Sequence, residues 1–193
     1  MQEKIGVSET KSKLLGELKA FEFDIAHDQQ HIENVLQGVN LLQGIYGGNA
    51  RILSVAAVLH DIGRSDSSLH GEESRLRSVA LAEPILERND FSPQEICQVC
   101  QVILDHDQPD KRPESLEGRI LKDADFLDGF GARGILRVII WTIKSGGSYE
   151  DIIHRLKVKM PQRIASLEFP ESREIARKNY TLVETFLRGL GVL

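Results

Sequence analysis

The 193-residue sequence predicts an all-α fold, a globular helical bundle, and three observations carry that prediction. Apolar residues recur at helical spacing in one segment after another, and short polar loops separate those segments. No run alternates apolar with polar residues as a half-buried strand would, and no hairpin dipeptide stands between two such runs. Residues 52–59 are apolar on nearly every side, which marks a helix buried in a core. Helices joined by short loops pack as a bundle. The heptad pattern is not sustained, so a coiled coil is not expected.

Composition bounds the rest. The length fits a single domain spanning residues 1–193. Hydrophobic content of 41% and charged content of 27% are ordinary for a globular protein. A net charge of −5 argues against a broad nucleic-acid surface, so no nucleic-acid polymer is expected as a partner. No apolar run reaches the roughly 18 residues of a membrane span. The N-terminal M-Q-E-K-I-G-V-S-E-T-K lacks a signal peptide's apolar centre, so a cytoplasmic location and no membrane partner are expected.

The elements follow in chain order. Residues 8–21 carry Leu14, Leu15, Leu18 and Phe21 on one stripe, with Ser8 as a possible cap, and predict a modest first helix. In D-I-A-H-D-Q-Q-H-I-E-N-V-L-Q-G-V-N-L-L, the residues Ile32, Val35, Leu36, Val39 and Leu42 repeat at helical spacing. Asp28 can cap that helix by accepting from the backbone N–H of His31. His27 and His31 stand four apart, a ligand spacing if both are helical; with Asp28 as the cap, His27 falls outside, which favours His31. Gly48 or Asn49 opens the buried helix, which delivers His60 and Asp61 together at its end, and Gly63 is expected to stop it in a left-handed conformation.

Beyond the polar R-S-D-S-S-L-H-G-E-E-S, the stripe Leu76, Val79, Ala80, Ala82, Glu83 and Leu86 predicts a helix that Pro84 kinks or interrupts. Ser92-Pro93 starts the next helix in the cap-then-proline order, and it carries Ile96, Val99, Cys100, Ile103 and Leu104. Cys97 and Cys100 form C-x-x-C without a second pair or a βαβ setting, so they read as two small core residues one turn apart. After the loop Q-P-D-K-R-P-E-S, residues 116–128 predict a helix with Ile120, Leu121, Ala124 and Leu127 inward. Residues 132–144 are strongly apolar, Y-E-D-I-I-H-R-L-K-V-K-M predicts a short helix ended by Pro161, and residues 171–189 a long amphipathic one.

Three separated segments thus set ligand-type residues beside core stripes: His31, the pair His60-Asp61, and the acid cluster Asp123, Asp125 and Asp128. Asp125 shares the inward face of Leu121 four residues earlier, whereas Asp123 points elsewhere and Asp128 reads as a brace for a neighbour.

The order H…HD…D on an all-helical chain resembles the HD superfamily of metal-dependent phosphohydrolases. H-D-Q-Q-H-I-E-N-V, A-A-V-L-H-D-I-G-R, H-G-E-E-S, L-E-G-R-I-L-K-D-A-D-F-L-D and E-S-R-E-I-A-R resemble one bacterial subgroup of HD hydrolases over about residues 24–190. Some members of that subgroup are nucleotide pyrophosphohydrolases. The resemblance implies a bundle of the HD-domain type in which His31, His60, Asp61 and Asp125 hold a divalent transition metal. Manganese, iron, cobalt, nickel and zinc all suit mixed imidazole and carboxylate ligands.

Such an ion lowers the pKa of bound water and polarises a phosphoryl group. Arg64 and Lys122 are the nearest cations by sequence for the phosphate charge, and Glu72 or Glu73, Glu73 in particular, could act as base or water-positioning group. His70 and His106 match the subgroup and are expected to face the substrate or a weaker second ion; the place of His154, followed by Lys157, is open. The expected function is hydrolysis of a small phosphorylated substrate, a nucleotide foremost, with phosphate or pyrophosphate release. The alternatives are a di-iron oxygenase of the HD type, a cyclic-nucleotide or alarmone hydrolase, and a non-catalytic regulatory domain.

Overall fold

Asn49 shows how local chemistry sets the architecture. Its side chain accepts from the backbone N–H groups of Arg51 and Ile52 at 3.0 and 3.2 Å, which starts the helix Ala50–Leu59. The computed structural model describes residues 2–23, 27–66, 68–108 and 111–193, with side chains from residue 10 onward. The lead-in at 24–26, Ser67 and residues 109–110 of the expected loops lie outside the described residues. Among the described residues there is no strand, and the fold is all-α as predicted. No helix there is long and apolar enough to cross a membrane.

The chain forms two compact units, residues 1–122 and 123–193. In the first, α1 (Gln2–Glu17), α2 (Gln29–Tyr46), α4 (Gly71–Glu87) and α5 (Pro93–Asp105) accompany α3 (Ala50–Leu59). α3 packs against α1, α2 and α5, and each of its residues from 52 to 59 is buried, as an all-round apolar helix requires. α6 (Leu116–Asp128) carries the boundary between the units within its length.

The second unit holds α7 (Gly131–Lys144), α8 (Tyr149–His154), α9 (Met160–Ala165) and α10 (Pro170–Gly189). Its core is Phe126, Phe130, Ile135, Leu156, Met160, Ile164, Leu167, Ala176, Val183 and Leu187.

Five expectations needed correction. Ser8 lies inside α1, which starts earlier than the stripe suggested. Gly63 does not take a left-handed conformation: α3 ends at Leu59, and a 3₁₀ turn, Ile62–Ser65, follows. Glycine is needed there because a Cβ would lie 2.2 Å from the Ser74 carbonyl oxygen and 2.6 Å from the Ser78 nitrogen, so the turn can lie against α4 only without a side chain. α4 runs on through Pro84 to Glu87, and its buried face is Ser74, Ser78, Ala82, Ile85 and Leu86, while Leu76 is exposed. Two serines occupy core-facing positions that a search for apolar residues skips.

Pro161 does not end a helix. It lies in the first turn of α9, where a missing N–H is tolerated, and the wider π turn Arg155–Lys159 joins α8 to α9. Of the two cysteines only Cys100 is a core residue; burial pushes its thiol up to about 11, and Cys97 is exposed.

Candidate metal centre

Two helix ends bring the central side chains together. Asp28 caps α2 by accepting from the His31 N–H at 2.9 Å, which sets His31 in the first turn, fully buried. At the end of α3, His60 still has helical dihedrals, and the chain then turns through Asp61 into the 3₁₀ turn. The Gly63 N–H donates to Ser78 Oγ at 2.9 Å, which ties that turn to α4.

The imidazole Nε2 atoms of His31 and His60 stand 3.2 Å apart. Asp61 Oδ2 lies 3.5 Å from the His60 nitrogen and 3.6 Å from that of His31. Nδ1 of His60 is 2.9 Å from the Ala57 carbonyl oxygen, which can only accept, so Nδ1 donates, and in the neutral ring that binds a metal Nε2 then carries a lone pair directed at the cluster. Ligand atoms around a first-row metal, at bonds of roughly 2.0–2.2 Å, stand about 3–3.5 Å apart. A buried lone pair facing a second imidazole and a carboxylate oxygen at such separations fits a divalent cation.

The carboxylate is prepared for that role. Burial pushes the Asp61 carboxyl up, but His60, His31, His27 and Arg64 around it outweigh burial and hold it well below the usual carboxylate range. Its two oxygens are divided. Oδ2 faces the histidines, and Oδ1 takes Arg64 Nε at 3.2 Å. Arg64 Nη2 in turn lies 3.2 Å from Asp107 Oδ2, and Arg75 Nη1 donates to the Asp107 carbonyl oxygen at 2.9 Å.

Other residues singled out from the sequence are placed as follows. His106 is buried at the end of α5; its ring lies edge-on to that of His60 at 5.1 Å, and its Nδ1 donates to the Ile103 carbonyl oxygen, which leaves Nε2 as an acceptor. His70 is exposed at the N-cap of α4, and Glu72 and Glu73 are exposed in that helix's first turn. Lys122 is buried on α6 and Asp125 is partly buried on the same helix.

Asp123 accepts from the backbone N–H groups of Glu168 and Phe169, both at 2.9 Å, and Asp128 takes Arg137 at 2.6 Å and Arg133 at 3.5 Å, so both acids already serve local structure. His154 is exposed on α8.

Sequence reasoning set His27 aside and passed over Asp107. His27 lies outside α2, as the Asp28 cap requires, yet its Nε2 is 3.8 Å from Asp61 Oδ2. The spacing H-D-Q-Q-H held the signal, but the pairing was sought only within a helix. Asp107, next to His106 in L-D-H-D-Q, was passed over because its partner Arg64 is distant in sequence.

A model of the HD domain matches residues 29–129, more than half of the chain. The chain belongs to the HD domain family. Solved structures agree. A predicted HD superfamily hydrolase from an uncultured Thermotogales bacterium is 25% identical at a TM-score of 0.67, over 93% of this chain and 90% of its own. YpgQ of Bacillus subtilis, solved in complex with ADP, is 22% identical at a TM-score of 0.73, over 98% of this chain and 95% of its own. An HD-superfamily hydrolase from Bacillus thuringiensis is 23% identical at a TM-score of 0.68, over 98% of this chain and 95% of its own. No curated protein matches the chain significantly. HD-family membership and the His31–His60–Asp61 donor set together make this a metal-dependent hydrolase.

Proposed function

We propose that this HD-domain protein hydrolyses a nucleotide at a phosphoester or phosphoanhydride bond, releasing phosphate or pyrophosphate. The observation that carries the reading is the buried convergence of His31 Nε2, His60 Nε2 and Asp61 Oδ2, with the His60 lone pair turned inward by Ala57. The ADP bound by YpgQ, a protein of the same fold, supports a nucleotide as the ligand.

Asp125 is proposed as the fourth ligand. It is the remaining acid of the H…HD…D order once Asp123 and Asp128 are spoken for by backbone and arginine. Two imidazoles and two carboxylates neutralise a divalent ion and leave positions for water and a phosphate oxygen. A divalent cation supplies a lowered pKa for its water and a polarised phosphoryl group. The chain's own residues do the rest. Arg64 orients Asp61; Lys122 and His106 are proposed to meet the phosphates; Glu73 and His70, at the start of α4, are proposed to position water and substrate.

The test is a panel of nucleoside mono-, di- and triphosphates and simple phosphate esters, offered to the metal-loaded protein, with phosphate and pyrophosphate release as readouts. Turnover of one nucleotide class, abolished by EDTA and restored by manganese, cobalt or zinc, is the expected result. A loaded protein that is inert on the whole panel but consumes oxygen with an organic substrate contradicts this reading and favours an oxygenase.

A further inference from the structure

Arg64 is placed between two carboxylates in a way that neither the metal ligands nor the substrate explains. A guanidinium beside one carboxylate commonly binds it with two parallel N–H groups, one to each oxygen. Arg64 instead divides its nitrogens: Nε goes to Asp61 Oδ1 and Nη2 to Asp107 Oδ2, each at 3.2 Å. Asp107 is itself held from two sides. It follows the buried His106 at the end of α5, and α4 reaches it through Arg75 Nη1 on its carbonyl oxygen.

We propose that Asp107 is a positioning residue for the metal centre. By taking Nη2, it holds that nitrogen on a carboxylate other than Asp61. Asp61 Oδ2 then stays turned to His31 and His60, from which it is 3.6 and 3.5 Å away. With Asp107 removed, Nη2 loses that acceptor, and Asp61, whose Oδ1 already takes Nε, is a carboxylate within the same guanidinium's reach. A two-pronged Arg64–Asp61 pair occupies both carboxylate oxygens and competes with the cation. Asp107 thus protects a ligand by restraining that ligand's own neighbour. The proposal rests on the reading of His31, His60 and Asp61 as a metal site.

The experiment is calorimetric titration of manganese into EDTA-stripped protein, for wild type, Asp107→Ala, Asp107→Asn, Arg64→Ala and the double variant Arg64→Ala/Asp107→Ala, with circular dichroism as a fold control. Loss of a residue that orients a ligand weakens metal affinity by about 10–100-fold. Asp107→Ala is expected at about 10-fold, and Asp107→Asn, whose amide oxygen still accepts from Nη2, close to wild type. In the Arg64→Ala background, removing Asp107 is expected to change affinity by less than about 2-fold, since nothing remains to restrain.

The same weakening in both backgrounds means that Asp107 acts only as a nearby charge, and overturns the proposal. So does an Asp107→Ala protein that binds manganese like wild type. Asp107→Ser, too short to reach Arg64, replaces the alanine variant if that variant does not fold. A wild type that binds no manganese overturns the metal reading and this proposal with it; a wild type that binds while Asp107 makes no difference overturns this proposal alone.

Discussion

The turn after α3 and the second half of α6 both bury carboxylates, and they use them in opposite ways. Asp61 is surrounded by imidazoles and one guanidinium, and its carboxyl is held well below the ordinary range despite burial. Asp123 is buried too, but its partners include the N–H groups of Glu168 and Phe169, and for it burial prevails and raises the carboxyl. Fixed backbone donors fill Asp123 and leave nothing to exchange. The partners of Asp61 include imidazole rings, which can give up their protons and offer a lone pair to a cation instead. Burial of an acid therefore does not mark a metal ligand; the chemistry of its neighbours does.

Breaking the first region should have the largest effect on function. Asp61→Ala removes a ligand and the charge that balances the ion, so turnover should fall to background and metal no longer restore it, while the circular-dichroism spectrum persists because the residue lies at a helix end. Any substantial activity in that variant would place the chemistry elsewhere.

Gly63→Ala should come next. Its Cβ would meet backbone atoms of Ser74 and Ser78, so the turn must lift off α4 and carry Asp61 with it. A loss of roughly 1–3 kcal/mol, as for overpacked sites, should appear in urea unfolding, together with weaker metal binding.

Asp123→Ala should separate the two regions most cleanly. It orphans two backbone donors at roughly 1–3 kcal/mol each, lowering stability and leaving metal affinity in place. Acid should sharpen the contrast in metal-free protein. The depressed Asp61 group gives stability above the ordinary value of 3.8 that is lost as pH falls below it. The raised Asp123 group takes up its proton in the native state first, so just above 3.8 its contribution grows as pH falls. Subtracting the stability curves of Asp61→Asn and Asp123→Asn from wild type should give slopes of opposite sign.

What the sequence made legible was local. The caps by Asp28, Asn49 and Ser92 join a side chain to backbone within three residues, so the starts of α2, α3 and α5 could be read directly. All-round apolarity likewise marked α3 as central, and the family pattern picked out His31, His60 and Asp61 before their contacts were known.

Contacts between distant segments were not legible. Gly63 touches α4, His27 reaches Asp61 from outside a helix, and Asp107 meets Arg64 across 43 positions. Ser74 and Ser78 were missed for a related reason: their small size lets the 3₁₀ turn approach, and hydropathy does not register that.

The central claim, that His31, His60 and Asp61 form a cation site, is tested most directly by elemental analysis of protein purified without added metal, with Asp61→Ala and Asp123→Ala measured alongside. The account predicts about one tightly held divalent transition-metal ion per chain in wild type and in Asp123→Ala, and loss of that ion in Asp61→Ala. Metal absent from wild type, or retained in full by Asp61→Ala, would contradict it.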